Sequence, residues 1–168
     1  MAEARPKFDP LGVLATLDRH RVAYIVIGAF ARVVQGAEEV TRVVDIVPSM
    51  KPENLRRLDA ALRDLAARRV DGKELALEEG AIPDEPVLEL MTGHGEVKVI
   101  PEPAGTRGYD DLRRAAAREP LGQGVRPSVA SVGDLARMLA ALGRESDLPR
   151  LQALRRLAEL ELSRGLEL

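Results

Sequence analysis

Between Val22 and Val47 the sequence permits few folds. An apolar run, Val22 to Ile27, breaks at Gly28-Ala29. A short helical pattern follows from Ala29 to Gln35, with Gly36 as its stop, and a second run rich in β-branched residues covers Val40 to Val47. Short apolar runs bounded by turn residues read as buried strands, and β-branched side chains suit a pleated surface. Two such strands with a helix between them place the chain in the α/β class. Pro48 should end the second strand.

The remainder alternates in the same way. Asp9-Pro10 predicts a helix start, with Asp as N-cap and Pro at the first helical position; Leu11, Leu14 and Leu17 follow at helical spacing, and His20-Arg21 closes the helix. Pro52 opens the longest amphipathic helix, striped by Leu55, Leu58, Leu62 and Leu65. Glu74 to Glu79 is expected as a short strand and 81–86 as a loop. Val87 to Met91 and Glu96 to Ile100 predict a hairpin turning at Thr92-Gly93-His94-Gly95. Tyr109 to Arg118 has helical composition. Val125 to Val129 is expected to be extended, leading to Ser131 as the N-cap of a helix that ends at Gly143. A last helix spans about Leu148 to Ser163.

A chain of 168 residues that is 45% hydrophobic can bury a real core and is not intrinsically disordered. We expect a single domain over residues 1–168, with the core at about 10–130 and C-terminal helices at about 131–165. Aromatic residues make up only 2%, so Leu, Val, Ile and Ala must fill that core. The chain has no Cys, which excludes disulfides and thiolate metal sites and favours a cytoplasmic setting. The opening MAEARPKFDPLG does not read as a signal peptide, and no apolar run reaches the roughly 20 residues needed to span a bilayer. A net charge of -2 gives no global attraction to nucleic acid.

The Gly28-Ala29 break after one strand and Val43-Val44-Asp45 on the next resemble the signature of the nucleotidyltransferase superfamily, which has a Gly-Gly or Gly-Ser pair followed by Asp-x-Asp. Pro52-Glu53-Asn54-Leu55, Pro101 to Thr106, Gly143-Arg144 and Asp147-Leu148 follow in the expected order. Together they resemble the small bacterial AbiEii-like, minimal nucleotidyltransferase-like proteins over roughly Val22 to Leu160. The resemblance implies a polymerase-β-like mixed sheet flanked by helices, with a small C-terminal helical region. It also implies Gly28, Ala29 and Lys98 as nucleotide-binding positions and Asp45 as a metal ligand.

The chemistry behind that signature is two-metal nucleotidyl transfer. Magnesium needs carboxylate oxygens, and acids at i and i+2 of a strand share a face. In this chain Val43 stands in the place of the first acid and Lys98 in the place of the third. Leu139 falls where such proteins often carry Lys, and Gln35 where they often carry His. With Asp45 as the sole retained acid, the formal charge of the cage falls from -3 to 0. An ammonium about 4 Å from a dication costs several kcal/mol even at an effective dielectric of about 20. Asp45 and Lys98 are expected to pair across neighbouring strands instead.

The resulting expectation is a degenerate, catalytically inactive member acting as a binding or regulatory module, with no cofactor. An active enzyme is the alternative: it would use Mg²⁺ or Mn²⁺, with Asp45 and Glu96 as its acids, on RNA, protein or a small hydroxyl compound. A component of a toxin–antitoxin pair is another. Candidate partners are a protein, a second copy, or RNA met by arginines 63, 68, 69, 113, 114, 118, 155 and 156, for which solvated helix faces are the ordinary reading. Arg107 and Tyr109 are further candidates for substrate contact. His20 and His94 lack metal-ligand spacing.

Overall fold

The computed structural model describes residues 7–166; residues 1–6 of the segment weighed above as a leader lie outside the described residues. Helix α1 (Pro10–Arg19) starts as its sequence predicts, with the Asp9 carboxylate accepting from Gly12 N–H at 3.0 Å. Strand β1 (Tyr24–Ile27) runs into α2 (Gly28–Val34) without a loop. Strand β2 (Val43–Pro48) includes the proline expected to end it, and starts three residues later than its β-branched run. Residues 40–42 lie outside the strand, and Val40 is 97% exposed.

Helix α3 (Pro52–Asp64) is followed by a two-residue strand β3 (Arg68–Arg69), then the hairpin β4 (Leu88–Thr92) and β5 (Gly95–Val99). The short α4 (Tyr109–Leu112), β6 (Ala117–Arg118) and β7 (Ser128–Val129) precede α5 (Val132–Leu142), a 3-10 turn (Glu145–Asp147) and α6 (Leu148–Leu166). Ser131 caps α5 by accepting from Asp134 N–H at 3.1 Å, and Gly143 ends it in the left-handed conformation.

Two expectations are corrected. Residues 74–79 are not a strand. Leu77 is fully buried, and its backbone N–H donates to the Asp59 carboxylate at 3.2 Å, so a side chain of α3 holds this segment rather than a neighbouring strand. Residues 109–118 are not one helix. The helix stops after Leu112, and Ala117-Arg118 pairs antiparallel with Val129 and Ser128.

The seven strands form one mixed sheet in the order β3-β4-β5-β2-β1-β7-β6. β2 is antiparallel to β1 and parallel to β5; β1 is parallel to β7. Register divides the two faces. Val44, Val97 and Leu90 lie in one rung and Ile46, Val99 and Leu88 in another, all at most 2% exposed. They join a continuous core with Leu14 and Leu17 of α1 and Leu55, Leu58 and Leu62 of α3. Burying each such side chain contributes about 1.5–3 kcal/mol. Because strand side chains alternate, the intervening positions, Asp45, Lys98 and Glu89, share the opposite face.

Asn54, from the motif after β2, proves to be a structural clamp. It accepts from Ala23 N–H at 2.7 Å and donates to Ala23 O at 3.0 Å and Ser49 O at 2.8 Å, fixing α3 to both central strands. Only 6% exposed, it satisfies backbone groups that would each cost about 1–3 kcal/mol if left buried without a partner.

Candidate functional site

On the polar face of the sheet, Glu89, Lys98, Asp45 and Ile27 occupy one rung across β4, β5, β2 and β1. This rung floors a cleft of about 640 Å³. Gly28, Ala29 and Arg32 of α2 form one wall, and Leu135, Met138 and Leu139 of α5 another. Glu102 and Arg144 reach it from loops. Gly28, Ala29, Asp45 and Lys98, singled out from sequence, are thus brought together. Leu139 joins them as an apolar wall residue. Glu96 is not: it stands opposite Val43, one rung away on the same face, and is not among the residues lining the cleft.

Asp45 is the tightest point of the site. Gly28 has φ +72, and a Cβ placed on it would overlap Asp45 Oδ2, so the carboxylate lies directly against the glycine that ends β1. Only a residue without a side chain permits both the backbone conformation and the approach. Asp45 Oδ1 is buried and has no hydrogen-bond partner among the described residues. Burial pushes the Asp45 carboxyl up; the Lys98 and Arg32 charges pull against that shift without cancelling it, and Glu96 adds to it. The expected ion pair with Lys98 is absent among the described residues, although the two Cα positions are in register. Lys98 also stands in register with Glu89 on its other side.

Two of the other cleft charges are committed. Arg32 is buried and binds Glu39 through Nε at 2.6 Å and a terminal nitrogen at 3.0 Å. Arg144 Nε donates to Asp147 at 2.6 Å. The lining therefore has three cations (Arg32, Lys98, Arg144) against three carboxylates (Asp45, Glu89, Glu102). Sequence reading missed Glu89 and Arg32, and singled out Arg144 only as part of the Gly143-Arg144 motif. Glu89 could have been found from strand alternation once the hairpin was paired, since it faces Lys98 directly.

The donor set does not fit a two-metal centre. Val43 offers no oxygen, Lys98 places an ammonium between Asp45 and Glu89, and those two acids lie two strands apart, about 10 Å at ordinary strand spacing. Among the described residues, no three His, Cys, Asp or Glu side chains gather as metal ligands. The cleft can instead offer a hydrogen-bonding ligand one unsatisfied buried oxygen, one ammonium and an apolar wall.

Of the other sequence candidates, Gln35 ties the end of α2 to Ala130 O at 2.9 Å. His20 pairs with Asp64 at 3.0 Å and His94 with Asp9 at 3.2 Å, both away from the cleft. Of the arginines weighed for RNA, three are held by carboxylates among the described residues. Arg63 binds Asp59 and Glu78, Arg69 binds Asp71 and Glu85, and Arg113 binds Asp110. Among the described residues no helix is long and apolar enough to cross a membrane.

No protein-family model matches the chain, and no curated protein matches it. Solved structures do. The antibiotic-resistance factor ANT(2'')-Ia, whose conformational dynamics are regulated by substrate, is 15% identical with a TM-score of 0.56, over 89% of this chain and 80% of that one. A candidate nucleotidyltransferase from Thermotoga maritima is 13% identical with a TM-score of 0.58, over 92% and 96% respectively. The chain has the nucleotidyltransferase-like fold, with a mixed sheet flanked by helices and a C-terminal helix.

Proposed function

We propose that this chain is a cytoplasmic binding module built on a nucleotidyltransferase-like scaffold that no longer transfers nucleotides. The observation that carries this reading is the Glu89–Lys98–Asp45 rung: an ammonium occupies the place where the reaction needs a carboxylate, and an aliphatic side chain replaces another. The unsatisfied Asp45 Oδ1 supports a cleft that takes a small polar ligand, with a ligand donor on Asp45 and a ligand acceptor on Lys98. ANT(2'')-Ia has substrate-regulated dynamics; the same coupling here would let cleft occupancy report to a protein partner or a second copy. The order of motifs favours an AbiEii-like subtype, and with it membership of a toxin–antitoxin pair.

The active alternative draws on one observation: Glu96 shares a face with Asp45 and its charge reaches it. One assay separates the two. The protein is incubated with each of the four nucleoside triphosphates, Mg²⁺ or Mn²⁺, and RNA or protein acceptors. We expect no transfer above background, and no difference between wild type and Asp45→Ala. Robust transfer abolished by Asp45→Ala would overturn the binding-module reading.

A further inference from the structure

A second concavity lies at the other end of β1. Gly28 and the cleft adjoin the C-terminal end of that strand; Tyr24, on the order of 10 Å back along it, floors a groove of about 530 Å³. Arg21, Arg118 and Arg126 line this groove, with Tyr109, Ser128 and Asp18. All three arginines are exposed, and none forms an ion pair among the described residues. Among the described residues, nine other arginines of this chain are engaged by carboxylates, whereas these three converge on one groove. The one acid in the lining, Asp18, already accepts the Tyr24 hydroxyl at 2.9 Å. Three guanidiniums against one carboxylate leave the lining two charges positive, whereas the Asp45 cleft is balanced.

The turn that ends α1 positions Arg21. Arg21 N–H donates to Asp18 O at 3.0 Å and Val22 N–H to Leu17 O at 3.1 Å, which closes α1 in a Schellman turn. The left-handed residue of that turn is ordinarily glycine, and here it is an arginine at φ 56. Ala66 closes α3 in the same turn at φ 53, so the conformation is a helix stop; at the end of α1 it sets Arg21 in the lining of the groove. Across the β6–β7 ladder, Arg118 is in register with Ser128, so cation and hydroxyl share a face.

We propose that this groove is an anion site for a terminal phosphate monoester, held by Arg21, Arg118 and Arg126, with Ser128 donating to it and Tyr109 beside the group it carries. Guanidinium forks match phosphate oxygens in pairs, and a monoester carries about -1.5 to -2 at neutral pH, against the +2 of the lining. The volume suits one nucleotide-sized or sugar-sized ligand. The site does not depend on what the Asp45 cleft does.

The test is calorimetry on the full chain at fixed low ionic strength with adenosine 5′-monophosphate, inorganic phosphate and adenosine. The monophosphate should bind at one site, phosphate should compete with it, and adenosine should give no heat. Arg118→Ala and Arg126→Ala should each weaken binding about tenfold or more, as expected for losing a charge-assisted hydrogen bond. Lys98→Ala, in the other cleft, should leave it unchanged. Arg21→Gly should weaken binding while raising Tm, because glycine relieves the turn; opposite signs from one substitution are not expected of a merely structural residue. A short RNA with a 5′-phosphate should bind better than its 5′-hydroxyl twin if the source is a strand end, and neither should bind if the source is a free small molecule. Absence of saturable monophosphate binding, unchanged affinity in the Arg118→Ala, Arg126→Ala double variant, loss in Lys98→Ala, or measurable binding of both RNAs with equal affinity would overturn the assignment.

Discussion

Asp45 is held in a state its own chemistry resists. A carboxylate is drawn against Gly28, one oxygen is buried without a donor, and burial pushes the group toward its neutral form. The folded chain therefore holds this proton more tightly than the unfolded chain does. Its contribution favours folding below the unfolded carboxyl value of about 3.9 and is lost as pH rises through the raised folded value. At neutral pH the ionised group thus opposes folding. Asp45→Asn, similar in shape but unable to ionise, should raise Tm at pH 7, with the gap over wild type closing as pH falls toward about 4. Thermal unfolding at a series of pH values measures this directly. A variant less stable than wild type at pH 7 would mean that the carboxylate is satisfied after all.

At the scale of elements, the C-terminal helix is tied down by a ladder of charges rather than by its apolar face alone. Arg144 binds Asp147 at 2.6 Å, Asp147 binds Arg150 at 2.8 Å, Arg150 reaches Glu39 at 3.2 Å, and Glu39 holds Arg32 at 2.6 Å. The ladder spans from the start of α6 to α2, and both ends, Arg32 and Arg144, line the cleft. Arg144, then Arg150, holds the Asp147 carboxyl below its usual value. For Glu39, burial pushes upward, but Arg32 and Arg150 outweigh it and the net shift is down. Both groups favour folding above the unfolded carboxyl values of about 4, and that contribution is lost as pH falls through their depressed folded values. Hydrogen exchange should therefore show α6 loosening below about pH 4 before the central strands do, and Asp147→Asn should produce the same local opening at pH 7. Uniform exchange along the chain in that variant would show that the ladder does not hold the helix. Elements with strong local signals were legible in the sequence. Asp9-Pro10, Ser131 and Gly143 mark helix ends through groups that satisfy their own backbone, and the Thr92–Gly95 turn dictates its hairpin. The two-residue strands β3 and β6 were not legible, because two residues have no period. Ala115 to Ala117 has helical composition, yet Ala117 is taken up by the sheet edge through pairing with Val129.

For the whole molecule, the candidate site was half legible because half of it is local. Gly28 and Asp45 belong to one supersecondary unit and could be read together. The placing of Lys98 beside Asp45, and of Glu89 beyond it, exists only through the parallel pairing of β2 with β5 and the hairpin register of β4. Arg32 was hidden because a buried arginine on a short helix looks like a surface one until Glu39 is folded against it. The same long-range register makes the central claim testable by construction. Val43→Asp with Lys98→Asp would place acids at i and i+2 of β2 and opposite on β5, taking those three positions from formally neutral to three negative charges. Without metal, three carboxylates on one sheet face repel one another, and Tm should fall. With Mn²⁺ the repulsion becomes a ligand set, so Tm should recover with metal concentration and binding measured by paramagnetic resonance should be at least about tenfold tighter than in wild type. The single variant Val43→Asp, which keeps the ammonium, should show little of either effect. A folded double variant whose Tm ignores manganese would mean that the sheet no longer holds the geometry of a metal cage, and that more than two side chains separate this scaffold from a working transferase.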